Sequence, residues 1–228
     1  MATFPHSPAA PVVVFDVNGT LLDLSVLDPH FARLFSHPSV REEWFHLLER
    51  LWMVTLITDT YEPFAELAEA ALRMTAQKWG IALPDEEKAA ILQGMKALPP
   101  FPDVAEGLAA FREAGFRLAA LTNGSLATAK TLLERAELTG YFDGVFSVEQ
   151  VKRYKPAREP YQLAARGMGV ATAEMTMTAA HAWDIAGAKA AGCKAAFLAR
   201  PGKVLNPLGP VPDWQAPNLP ELARKMRR

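Results

Sequence analysis

Four short segments carry side chains suited to covalent catalysis by a carboxylate. They are Asp16-Val17-Asn18-Gly19-Thr20, Thr122-Asn123-Gly124-Ser125, Lys155-Pro156 and His181-Ala182-Trp183-Asp184. An ionised aspartate is a nucleophile that splits one difficult displacement into two easier steps. A lysine ammonium beside it favours the ionised form. Hydroxyls such as those of Thr20 and Thr122, with backbone amides of the surrounding turns, stabilise charge developing at an ester carbonyl. Asp184 is suited to hold Lys155 or to orient a water. His181 is of a residue type that acts as a base toward such a water, or else hydrogen-bonds the rim of a sheet. Each segment alone is weak; their order and spacing are specific.

These side chains converge only if the elements before them place them at one edge. Val12-Val13-Val14-Phe15 is a β-branched and aromatic run, the pattern of a strand buried on both faces, and it ends at Asp16. Strands are predicted over residues 117–121, 144–148, 175–178 and 195–198, and helices over 104–113, 126–136, 160–166 and 185–191. Alternation of this kind predicts an α/β fold with a parallel sheet and helices on both faces. Residues 24–98 read differently, as helices. Trp44, Leu47, Leu48, Leu51 and Trp52 recur at helical spacing, and Phe64, Leu67, Ala68, Ala71 and Leu72 share a face of a helix over 63–79. A further helix is predicted over 85–96. The Pro-rich stretch 201–217 reads as a long surface loop, and Arg224, Lys225, Arg227 and Arg228 as the C-terminal turn of a last helix.

The four segments, in this order, resemble the motifs of the haloacid dehalogenase (HAD) superfamily: an Asp-x-x-x-Thr turn, a Ser/Thr, a Lys and a terminal acid. Leu121-Thr122-Asn123-Gly124-Ser125, Tyr154-Lys155-Pro156 with Tyr161, Ala182-Trp183-Asp184 with Gly187-Ala188, and Pro212-Asp213-Trp214 extend the likeness to the L-2-haloacid dehalogenase (type II) branch. The resemblance implies a Rossmann-like core (residues 1–23 and 99–228) with an inserted helical cap (24–98). It also implies a metal-independent hydrolase with no cofactor, which cleaves the carbon–halogen bond of a small 2-haloalkanoate through an Asp16 ester. Tyr161 and Asn123 are implied as pocket residues; Tyr161 can equally be a packed helix residue, and Asn123 can mainly shape its Asn-Gly turn. Phosphatases of the superfamily place an acid two residues after the nucleophile and another near the last motif. Asn18 and Ala180 stand at those positions, so phosphoester chemistry is the weaker reading.

Four positions depart from the dehalogenase pattern. Aligning on Trp44 puts Phe45 where an arginine contacts the substrate and helps accept halide, leaving Arg41 or Arg50 as substitutes. His181 stands for asparagine, Ala179 for serine, and Asn18 for an aromatic residue. Trp183, Trp44, Trp52 and Met53 are candidates for an apolar wall, or for plain core. Activity on another substrate (a phosphoester or a C–N bond), or a dehalogenase-like chain without that activity, stay open as alternatives.

Composition narrows the classes further. Net charge −1 and pI about 6.5 advertise no basic face for nucleic acid. One cysteine, Cys193, excludes an internal disulfide and a multi-cysteine metal centre, and its apolar context reads as buried filler. His6, His30, His37 and His46 are dispersed, without metal-ligand spacing. No apolar run approaches the roughly 20 residues of a membrane span. Residues 1–10 lack the pattern of a signal peptide, so a cytoplasmic enzyme on a small molecule is expected. The apolar cap face allows a homodimer, although a cap-to-core contact would bury the same residues.

Overall fold

The computed structural model describes residues 10–227; the leader reading up to Ala9, His6 and Arg228 lie outside them. In chain order the elements are β1 (Val12–Phe15), α1 (Asp28–Phe35), α2 (Val40–Ile57), α3 (Phe64–Lys78), α4 (Asp85–Gly94), α5 (Val104–Glu113), β2 (Arg117–Thr122), α6 (Leu126–Arg135), β3 (Gly144–Ser147), α7 (Arg158–Gly167), β4 (Met175–Ala179), α8 (Ala182–Ala190), β5 (Lys194–Leu198), β6 (Trp214–Ala216) and α9 (Leu219–Met226). The six strands form one parallel sheet in the order β3-β2-β1-β4-β5-β6. β1 is central, and all four of its residues are buried, as a continuous apolar run requires. Val13 and Phe15 face α5, α6 and α9; Val12 and Val14 face α7 and α8.

From β1 the chain runs outward through β2 and β3, then crosses to β4 on the other side of β1. The crevice at such a switch point, beyond the carboxyl ends of the strands, is where open α/β sheets bind ligands. Asp16 N–H donates to Thr178 O at 3.0 Å, so the nucleophile candidate stands directly beside the end of β4.

Helices α1 to α4 lie between β1 and α5, above that edge. The two connections to them are hydrogen-bonded to each other: Asp23 N–H donates to Pro99 O (2.8 Å) and Phe101 N–H to Leu21 O (2.9 Å). Trp44, Leu48 and Trp52 of α2 and Leu67, Ala68, Ala71 and Leu72 of α3 are buried within the chain, so the apolar face of these helices is covered by the chain itself.

Two readings of local structure change. The 201–217 stretch is not all loop, because Trp214–Ala216 adds an edge strand beside β5. Asp213 makes this possible: its carboxylate accepts from Ala195 N–H (2.7 Å) and Lys189 Nζ (3.0 Å). Helix α4 ends at Gly94, short of Lys96. Cys193 is buried, and its thiol is pushed up to about 12, chiefly by burial. Arg224 and Lys225 occupy the last turn of α9.

Candidate active site

All four segments meet at the sheet edge, and their geometry is built around Lys155. The Val12–Phe15 strand delivers Asp16 to the crevice, and the turn after it is made by Gly19 at φ +77°, a left-handed conformation suited to glycine. A Cβ at Gly19 would lie 3.0 Å from His181 Cε1 and 3.1 Å from Nε2, so glycine also makes room for the imidazole.

Both oxygens of Asp16 are held. Oδ1 accepts from Lys155 Nζ at 2.8 Å; Oδ2 accepts from Thr20 Oγ1 at 2.7 Å and lies 3.1 Å from His181 Nδ1. Thr20 in turn accepts from Ala180 N–H at 3.0 Å, which ties the turn to the end of β4. Lys155 Nζ also donates to Asp184 Oδ2 (2.7 Å) and to Leu121 O (3.0 Å), so its three protons have three acceptors. Lys155 and Asp184 are fully buried. Burial pushes the Asp16 carboxyl up, but the Lys155 ammonium, with help from His181, holds it well below the usual carboxylate range. Burial opposes the charge on Lys155, and the Asp16 and Asp184 carboxylates overcome it, raising Lys155. Asp184 is raised by its own burial and by the negative charge of Asp16.

The other expected residues divide. Asn123, Thr122, Asn18, Phe45, His181 and Trp183 surround a chamber over Asp16, joined by Trp52 and Phe64. Its volume is about 10 Å³, room for about one water. Asn123 does two tasks, since its Oδ1 also accepts from Lys155 N–H at 3.0 Å and so fixes the lysine loop. Thr122 Oγ1 accepts from Gly124 N–H (2.9 Å), leaving its own proton free to donate. Tyr161, implied as a pocket residue, lies instead behind Asp184 and donates to its Oδ1 at 2.6 Å. Its hydroxyl comes within 2.4 Å of where a Gly187 Cβ would be, so only glycine admits it there.

Phe45 occupies the chamber wall, its ring 6.2 Å from that of His181 at an interplanar angle of 27°; Trp183 flanks His181 at 5.2 Å. Neither candidate arginine takes over. Arg41 pairs with Asp28 at 2.5 Å, Arg50 is exposed, and both lie outside the chamber lining. Trp44 and Met53 are not wall residues either; Trp44 donates to Ala68 O within the helical insertion (3.0 Å).

Two polar atoms bordering the chamber, Asn18 Oδ1 and His181 Nε2, are buried without a hydrogen-bond partner among the described residues. Among those residues no cluster of three or more His, Cys, Asp or Glu suits a metal ion.

Sequence reasoning missed two supports. Arg200 donates from Nε to Thr20 O (3.0 Å) and from Nη1 to Asp103 (2.6 Å), and its guanidinium stacks over Phe101 (4.1 Å), bracing the turn that follows Asp16. Glu49 of α2 accepts from Trp183 Nε1 at 2.9 Å and joins the helical insertion to the terminal motif.

The sheet order, the insertion and this carboxylate–lysine–carboxylate centre define a class, and the chain belongs to it: residues 10–192 match the model of the haloacid dehalogenase-like hydrolase family. Among its relatives, the (S)-2-haloacid dehalogenase of Pseudomonas sp. (strain YL) is 30% identical, with 91% of this chain and 90% of the relative covered. The haloacetate dehalogenase H-2 of Moraxella sp. (strain B) is also 30% identical, with 90% and 92% covered. The solved structure of the L-2-haloacid dehalogenase from Xanthobacter autotrophicus superposes with a TM-score of 0.88 at 26% identity, over 96% of this chain and 98% of that one.

Proposed function

We propose that this hydrolase cleaves the carbon–halogen bond of an (S)-2-haloalkanoate, with Asp16 as nucleophile and residues 24–98 as a cap over residues 1–23 and 99–228. The observation that carries this reading is Lys155, which places a buried ammonium 2.8 Å from Asp16 and leaves the carboxylate ionised and facing an aromatic chamber.

In the first step an Asp16 oxygen attacks C2 in line, a C–O bond forms, and halide leaves with the electron pair of the broken bond. Configuration at C2 inverts. Halide needs no proton to depart, so Asn18 in place of an acid costs nothing. Phe45, Trp52 and Trp183 give the chamber an apolar wall beside the departing halide. In the second step water attacks Asp16 Cγ. Esterification removes the negative charge that faced His181 Nδ1, and the tautomer with its proton on Nε2 leaves Nδ1 free to take the proton of water. The Asp16 oxygen that is not esterified becomes the tetrahedral oxyanion, and its existing partner, Lys155 at Oδ1 or Thr20 at Oδ2, stabilises it. The intermediate collapses by breaking its acyl C–O bond, the departing 2-hydroxy acid oxygen recovers the proton from His181, and the Asp16 carboxylic acid so formed releases its proton to solvent to become the carboxylate again. Asp184, itself held by Tyr161, keeps Lys155 in place. No helix of the described residues is long and apolar enough to cross a membrane. We assign the enzyme to the cytoplasm, where an unpaired Cys193 is the ordinary state. If it dimerises, the exposed Val54 and Ile57 at the end of α2 are apolar surface for a second copy to cover.

The test is halide release from chloroacetate and from each enantiomer of 2-chloropropionate with EDTA present. Release from the (S) enantiomer yielding (R)-lactate is expected. A His181→Gln variant should retain the first, stoichiometric burst of halide while steady turnover falls about 10²-fold or more. Release confined to the (R) enantiomer, or a His181 variant that loses the burst as well, would overturn these assignments.

A further inference from the structure

A chamber of about 10 Å³ cannot hold a 2-haloacid whole. Next to it, however, lies a cleft of about 250 Å³ between α3, α4 and the α6 side of the core. The two share Asn18, Phe64 and Thr122, which form the threshold between them. Beyond it the cleft is lined mainly by apolar side chains, Leu92 and Met95 from one side and Ala129 and Leu132 of α6 from the other, with Glu69, Ser125, Thr128 and Glu149 also on its border. It reaches the exposed Glu66 and Lys96, hence the surface.

We propose that this cleft is the subsite for the C2 substituent of the substrate, and that the substrate is a 2-haloalkanoate with an unbranched apolar chain of about six to eight carbons. The inference rests on the dehalogenase reading above and names the substrate class within it. Three observations support it together. The reacting carbon must sit against Asp16, where there is room for little else. Among the described residues the ones common to both spaces are Asn18 and Thr122 beside the nucleophile and Phe64 of α3 across from them, so a chain leaving C2 passes between Asn18 and Phe64. The far walls come from a cap helix and a core helix and offer carbon, which selects by the length of apolar chain buried. Asn18 is central: the aromatic residue of the resembled pattern is larger, and asparagine leaves the threshold open.

The test compares kcat/KM for 2-bromopropionate, 2-bromobutanoate, 2-bromohexanoate and 2-bromooctanoate. Wild type is expected to prefer the octanoate over the propionate by at least about ten-fold. Leu92→Trp, on the cap side, and Ala129→Phe, on the core side, should each reduce that ratio about ten-fold or more; two variants guard against one failing to fold. A ratio at or below one in wild type, or a ratio unmoved by both substitutions, would overturn the proposal. Calorimetric binding of 2-hydroxyoctanoate against lactate separates it from the reaction itself. Tighter binding of the longer acid without halide release would overturn the dehalogenase reading and keep the subsite. Equal binding would overturn the subsite.

Discussion

Asp16→Asn is expected to lower halide release by roughly 10⁴- to 10⁶-fold, the scale seen when a covalent nucleophile is removed. The fold should survive, because asparagine has nearly the same shape and Lys155 keeps Asp184 and Leu121 O as acceptors. Isotope labelling distinguishes the role from that of a general base. With enzyme in excess over substrate in ¹⁸O-water, one label should enter the Asp16 carboxylate, a gain of about 2 Da, and none the first-turnover product. Label in the product instead would mean that water attacks C2 directly. The pH dependence of the burst follows from the charges around the nucleophile. Asp16 must be ionised to attack, and its carboxyl is held below the ordinary range while Lys155 is raised. The burst rate should therefore show no limb from Asp16 down to about pH 4, the usual carboxylate value.

What could be read in the sequence was whatever a strand end carries with it. Val12–Phe15 is apolar because both of its faces are buried, and the side chain after such a strand has one place to go, the crevice. Thus Asp16, Thr122 and the His181–Asp184 segment could be placed together from the sequence. Contacts between parts of the chain far apart carry no local pattern, and these stayed hidden. Arg200 lies 180 positions from Thr20, whose carbonyl it holds, and nothing in Ala199-Arg200-Pro201 marks it. The resemblance implied Tyr161 as a pocket residue, but α7 places it behind Asp184, whose Oδ1 accepts from its hydroxyl. The β6 strand was masked by the prolines around it; a three-residue edge strand pinned by the Asp213 carboxylate needs little β-propensity of its own. The cleft beside the chamber belongs to the same class, since its walls come from α3, α4 and α6.

Lys155→Met is the substitution expected to cost the most stability. The wild-type ammonium has no exposure, and it compensates two buried carboxylates at 2.8 and 2.7 Å. Removing one partner of a buried ionic group costs about 3–5 kcal/mol, because the remaining charges stay out of water without a counterion. Against a typical stability of about 5–15 kcal/mol, that is a large share. The sign of the pH dependence makes the cause testable. In wild type the Asp16 carboxyl is depressed, so its contribution is present above the unfolded value of 3.8 and is lost as pH falls through the lower folded value. Without Lys155, burial of Asp16 and Asp184 is opposed far less, and their folded values move upward. The folded variant then binds protons more readily than its unfolded state, so its stability rises as pH falls toward 5. Urea denaturation of the variant and wild type at pH 5 and pH 8 should show a deficit that narrows at the lower pH. A deficit independent of pH would mean that the lysine stem, through lost packing, matters more than its charge.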